Sequence, residues 1–194
     1  AACGWRDSLG ESADGLRVYG LPEIGHNYTL GVDSSYGEAN GDLSCVQVTD
    51  NWTKVQVATY RAHCRPDVLA DVTFRMAKWF NMGYVIAELN SIGAAVNGLL
   101  ESGLYNYPNL HHDEGKEHAG FWMGKGSKEL LFSKTSSAIA AMAVKLNDRT
   151  TIREAMMFRV GKGGKLGAPE GEHDDAVMAW MLSYKPAGDG ETGG

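Results

Sequence analysis

The chain has 194 residues, 43% hydrophobic and 22% charged, which is ordinary for one soluble domain with a substantial core. No stretch approaches the roughly 20 consecutive apolar residues of a membrane span, and no charged-then-apolar leader opens it, so the expectation is an intracellular protein. The formal net charge of −6 argues against indiscriminate binding to nucleic acid, but the charge is unevenly spread. Between Phe121 and Lys165 nine Lys or Arg face three acids, an excess of six positive charges that could meet a phosphate backbone. Cys3, Cys45 and Cys64 are odd in number and far apart, which argues against a disulfide framework and a cysteine-rich zinc site. Asn27-Tyr-Thr and Asn51-Trp-Thr match a glycosylation pattern and, without secretion, read as chance.

Residues 1–27 are rich in Gly, Asp and Ser and read as a linker or irregular arm, with a short strand at Leu16–Tyr19. Tyr28–Asp33 is an apolar run ending in an acid, the pattern of a buried strand. After a Gly/Ser-bearing turn, Leu43–Thr49 and Lys54–Tyr60 read as two more strands around Asp50-Asn51, giving an antiparallel meander. Pro66 opens a helix with Val68, Leu69, Val72, Met76, Trp79 and Phe80 at helical spacing, ended by Gly83. Tyr84–Glu88 is a second apolar strand ending in an acid. Ser91 is expected to cap a helix running to about Ser102.

Leu104–Leu110 is a candidate strand and His111–Gly120 a polar loop. Ser127 is expected to cap a long helix with Leu130, Leu131, Ile139, Met142 and Val144 as its apolar positions. Ala155–Val160 reads as a strand, and Gly161–Gly167 as a flexible connection or hairpin tip. Glu172–Tyr184 reads as a helix with Ala176, Val177, Trp180 and Met181 towards the core; residues 185–194 read as a disordered tail. Three strands followed by strands alternating with helices predict a mixed-sheet α/β fold, over residues 28–184.

Three acidic elements stand out. Asp33 and Glu88 each end an apolar strand, where an ionised carboxylate is costly unless paired or metal-bound. The third is Glu172-His-Asp-Asp before the last helix, which helix capping alone could explain. Hard oxygen donors from separate elements suit Mg2+ or Mn2+. Lys125, Lys128, Lys162 and Lys165 are candidate phosphate contacts, against the plain reading of a solvated hairpin tip. His173 reads as a capping or carboxylate-orienting group rather than a ligand. His111, His112 and His118 lack the spacing of a transition-metal site. Trp79, Trp122 and Trp180 read as packing residues rather than base-stacking platforms.

Gly31-Val-Asp33-Ser-Ser, Ala87-Glu88-Leu-Asn90 and Gly171-Glu-His173-Asp174-Asp175-Ala-Val-Met-Ala resemble the three acidic motifs of the nuclease domain of tailed-bacteriophage large terminases. Gly126-Ser-Lys128-Glu-Leu-Leu resembles that family's segment leading into a helix before the last hairpin. The likeness spans about Tyr28 to Tyr184. It implies an RNase H-like fold with an antiparallel three-strand meander flanked by helices. It also implies a metal-dependent endonuclease that cuts double-stranded DNA during viral genome packaging by two-metal-ion hydrolysis.

On that resemblance Asp33, Glu88 and Asp174 are the metal-binding triad, Asp175 is an auxiliary ligand or shares the role of Asp174, and Asp42 is a further acid. The implied cofactors are two Mg2+ or Mn2+ ions. The implied partners are a terminase ATPase domain, a portal and a small terminase subunit, in the host cytoplasm. Neither Gly161-Lys-Gly-Gly-Lys nor Gly124-Lys-Gly-Ser-Lys has phosphate-loop spacing, so the chain reads as a nuclease domain without its ATPase. The competing readings are another RNase H-like nuclease, of Holliday-junction resolvase or transposase type, and a non-catalytic DNA-binding module.

Overall fold

The computed structural model describes residues 15–36, 41–89, 92–161 and 164–184. Its strands are β1 (Gly15–Val18), β2 (Tyr28–Asp33), β3 (Ser44–Asp50), β4 (Val55–Ala62), β5 (Tyr84–Ala87), β6 (Arg159–Val160) and β7 (Leu166–Gly167). Its helices are α1 (Pro66–Trp79), α2 (Gly93–Glu101), α3 (Lys125–Ala140), α4 (Arg149–Met157) and α5 (Asp175–Ser183). The main sheet has the order β1-β4-β3-β2-β5. β1 to β4 pair antiparallel, and β5 joins β2 in parallel. The predicted meander is β2-β3-β4. Gly15–Val18, within the stretch read as an arm, supplies an edge strand to the sheet.

Side chains alternate across a strand, so each face of the sheet can be read from the sequence. Tyr28, Leu30 and Val32 of β2 and Val85 and Ala87 of β5 join Leu69, Ala70, Met76, Ala77 and Phe80 in one core under α1 and α2. The intervening positions face α5, where Ile86 packs with Val177, Trp180 and Met181. On this second face the residues under the helix are small or polar. Cys45 packs with Ala176 and Ala179. The Gln47 amide donates to Ala176 O at 3.2 Å, and Thr49 and Ser183 hydroxyls meet at 2.7 Å. Gly31 leaves room for the helix backbone itself. All nine residues of α5 are buried, which explains its lack of a polar face.

Several predicted elements differ. Leu104–Leu110 is not a strand: Pro108 has no N–H to donate, Asn106 takes a φ of 43°, and a lone bridge between Leu110 and Val85 remains. α3 begins at Lys125 with Gly124 as its N-cap. Ser127 is inside the first turn, where its hydroxyl accepts from Gly124 N at 2.8 Å. Its buried stripe is Leu131, Thr135 and Ala138, whereas Leu130 is 54% and Met142 89% exposed. The first half of the predicted strand Ala155–Val160 is the end of α4, leaving Arg159–Val160 to pair with Leu166–Gly167 as a short hairpin. The Asp148 side chain caps α4 by accepting from Thr151 N at 2.7 Å. Trp180 is buried as expected, but Trp122 is exposed under Lys116. Ser91, Cys3, Lys162 and the stretch 185–194 lie outside the described residues. Among the described residues no helix is long and apolar enough to cross a membrane.

Candidate metal centre

Period-two alternation and strand pairing bring the first two acids together. β2 and β5 are parallel neighbours with Val32 opposite Ala87, so Asp33 and Glu88 end adjacent strands on the α5 face. Glu88 N still donates to Val32 O at 3.0 Å, which holds the two ends in register beyond the strands. α5 crosses the same face and presents Asp174 and Asp175 from its N-terminus. Asp33, Asp42, Glu88, Asp174 and Asp175 therefore line one cleft of about 450 Å³, with Ser34, Ser35, Tyr36, Met123, Met178 and Lys128.

The carboxylates are held in different ways. Asp175, 6% exposed, accepts from Leu43 N at 3.1 Å. Asp174 accepts from Ala168 N at 3.3 Å, and Lys128 Nζ lies 3.7 Å from its Oδ2. His173 Nδ1 is 3.3 Å from exposed Asp42 and 3.8 Å from Asp175. Asp42, His173 and Asp175 present ligand atoms within 4.8 Å of one another.

Burial, then the charges of Glu88 and Asp175, the proximity of the Glu88 carboxyl and the charge of Asp174 hold the Asp33 carboxyl well above the usual carboxylate range. Burial also raises Glu88, against the hydrogen bond from Asp33 and the charge of Lys128, while Asp174 raises it further. Asp175 is raised by burial, partly offset by its bond from Leu43 N. Crowded, half-dehydrated like charges are unfavourable alone, and a hard cation would relieve them. The all-oxygen set, with one imidazole at its edge, fits a divalent ion of the Mg2+ or Mn2+ type.

The same shifts have a consequence for stability. Glu154 of α4, 4% exposed, is pushed by burial from an ordinary value of 4.5 to about 7. For each of these four raised carboxyls the native state binds more protons than the unfolded chain. Their contribution is thus fully present below the ordinary carboxylate range and is lost as pH rises through the raised values. In EDTA the melting temperature should fall between pH 5 and pH 8; a flat or rising profile would contradict the burial of these groups.

Of the candidate phosphate contacts, Lys128 lines the cleft. Lys125 is exposed at the start of α3, and Lys165 is exposed beside β7. His111, His112 and His118 form no ligand cluster among the described residues. His111 is buried between the Tyr84 hydroxyl, 2.8 Å away, and Asp113, at 3.0 Å. Sequence reasoning missed Ser35 and Tyr36 on the cleft wall, and Glu154 and Arg61 behind it. No acid-rich motif marks Glu154, and its helix was read in part as a strand.

Neither a protein-family model nor a curated protein matches the chain. Solved structures do. The large terminase nuclease from thermophilic phage G20c with bound magnesium superposes with a TM-score of 0.71 at 23% identity, covering 87% of this chain and 86% of that one. The Thermus phage P74-26 large terminase nuclease domain gives 0.67 at 23% identity over 87% and 84%. The manganese-soaked human cytomegalovirus terminase nuclease domain gives 0.52 at 12% identity over 81% and 82%. The chain thus shares the mixed-sheet α/β fold of these solved domains.

Proposed function

We propose that this chain is a metal-dependent endonuclease domain that cuts double-stranded DNA during viral genome packaging. The observation that carries the reading is the convergence of Asp33, Glu88, Asp174 and Asp175, from β2, β5 and α5, in one cleft. Its fold supports it, because the similar domains are terminase nucleases, solved with magnesium bound or soaked with manganese. Asp33, Glu88 and Asp174 would hold one or two Mg2+ or Mn2+ ions, with Asp175 and the more exposed Asp42 as auxiliary donors. Held there, such ions would supply Lewis acidity towards a water and the scissile phosphate, and the products expected of that hydrolysis are 5′-phosphate and 3′-hydroxyl ends.

The protein side of the chemistry follows from placement. Asp33 feels the charges of Glu88, Asp174 and Asp175 alike, so it is the acid best placed to serve the whole site. His173 orients Asp42 and Asp175 from the cleft edge. Lys128, next to Asp174 and stacked 5.4 Å from the Phe158 ring centroid, is a fixed cation for a phosphate oxygen. An ATPase domain, portal and small terminase subunit are the partners this role requires, in the host cytoplasm.

Supercoiled plasmid incubated with Mg2+, Mn2+ or EDTA tests the reading. Nicked and linear products are expected with either metal and none with EDTA. A chain that cuts with neither metal is a non-catalytic module, and one that cuts only branched DNA is a resolvase-type enzyme. In the same preparation Lys128→Ala should weaken DNA binding across sequences and lower the salt slope by about one. An unchanged slope would remove Lys128 from phosphate contact.

A further inference from the structure

A helix that starts with two acids ordinarily uses one of them to cap itself, because its first N–H groups lack partners. α5 does not. Asp174 is its N-cap residue, yet it makes no side-chain capping bond. Asp175 turns to Leu43 N instead. The free N–H groups are satisfied from a different helix: Glu154 Oε2 accepts from Ala176 N at 2.8 Å and from Val177 N at 3.0 Å.

We propose that Glu154 is a positioning residue for the two acids of α5: its carboxylate caps that helix in place of Asp174, which leaves Asp174 and Asp175 to face the cleft. The inference rests on the nuclease reading, since positioning matters only if the acids bind metal. Glu154 is itself held from two sides. Thr151, one turn earlier on α4, is tied to the sheet through the Gln47 amide at 2.8 Å, and Gln56 donates to Gln47 at 2.7 Å. Arg61 of β4 stands behind the carboxylate, its Nη2 3.5 Å from Oε1. Oε1 has no hydrogen-bond partner among the described residues, so Arg61 supplies charge while Oε2 holds the helix.

Three substitutions separate reach from charge. Glu154→Gln keeps an acceptor oxygen at the same distance. Glu154→Asp keeps the charge but is one methylene short of the amides. Glu154→Ala keeps neither. Mn2+ affinity by titration calorimetry and plasmid cleavage are both measured below each variant's melting temperature. Glu154→Asp and Glu154→Ala should lose about ten- to a hundredfold in both, as groups that orient metal ligands do. Glu154→Gln should stay within a few-fold of the parent. Parent-like affinity and cleavage in folded Glu154→Asp would overturn the proposal even if Glu154→Ala failed to fold, as would equal losses in Gln and Asp variants. A parent that neither binds Mn2+ nor cuts would overturn the nuclease reading and this inference with it, whereas an active parent with an equally active Asp variant overturns this inference alone.

Discussion

Asp33→Asn is expected to abolish metal-dependent cleavage and at the same time to stabilise the metal-free protein. Asp33 is the carboxyl most opposed by its surroundings: burial and three neighbouring acids all raise its proton affinity. Asparagine keeps the shape and removes the charge. At pH 8 in EDTA the variant should therefore melt several degrees higher, at roughly 2–4 °C per kcal/mol for a chain of this size. The gain should shrink as the pH falls, because the parent carboxyl takes up its proton more readily than an ordinary aspartate and the two side chains then become alike in charge.

Cleavage moves the other way. On the proposed metal site, Asp33→Asn removes a ligand and with it several kcal/mol of transition-state stabilisation, so the rate in Mn2+ should fall at least about a thousandfold. Plasmid cleavage and thermal melts on one preparation decide it. Undiminished cutting would remove Asp33 from the site, and a lower melting temperature in EDTA would contradict the crowding of charges around it. The pairing of a lost activity with a gained stability is what distinguishes a functional acid from a structural one.

The two strand-end acids were legible because two regular patterns coincide in them. An apolar run ending in an acid marks each strand, and alternation puts Asp33 in step with Gly31 and Glu88 in step with Ile86 on the α5 face. The Asp174/Asp175 pair was ambiguous for a physical reason. Whether it caps α5 depends on Glu154, which arrives from another helix, and no local pattern reports that. α4 itself was obscured because its Arg149-Thr-Thr-Ile opening is β-branched and its end runs straight into β6. The buried face of α3 was misread because apolar residues lie on both sides of it, so Leu130 and Ile139 compete with the stripe that packs. β1 was visible as a strand, but its place beside β4 is set by pairing across the sheet, not by its own residues.

Gly31→Ala tests the link between fold and site. A Cβ at Gly31 would lie 1.9 Å from Ala179 O, 2.4 Å from Ser183 N and 2.9 Å from Leu182 Cβ. Two of those are backbone atoms of a helix buried along its whole length, so no side-chain rotation can relieve the overlap. α5 must lift from β2. Overpacking of a tight core costs about 1–3 kcal/mol and occasionally more, and an overlap with helix backbone belongs at the upper end. The melting temperature should fall by about 6–12 °C at the scale for this chain length. Gly98→Ala is the matched control. Gly98 is exposed within α2, with nothing within 4 Å of the new methyl, so the same change there should stabilise by roughly 0.5–1 kcal/mol. The site should register the shift as well. Asp174 and Asp175 ride on α5 while Asp33 stays on β2, so lifting the helix separates the acids. A displacement of about 1 Å can cost a hundredfold in rate. Folded Gly31→Ala that melts and cuts like the parent would mean that α5 does not rest on this strand as closely as the packing requires.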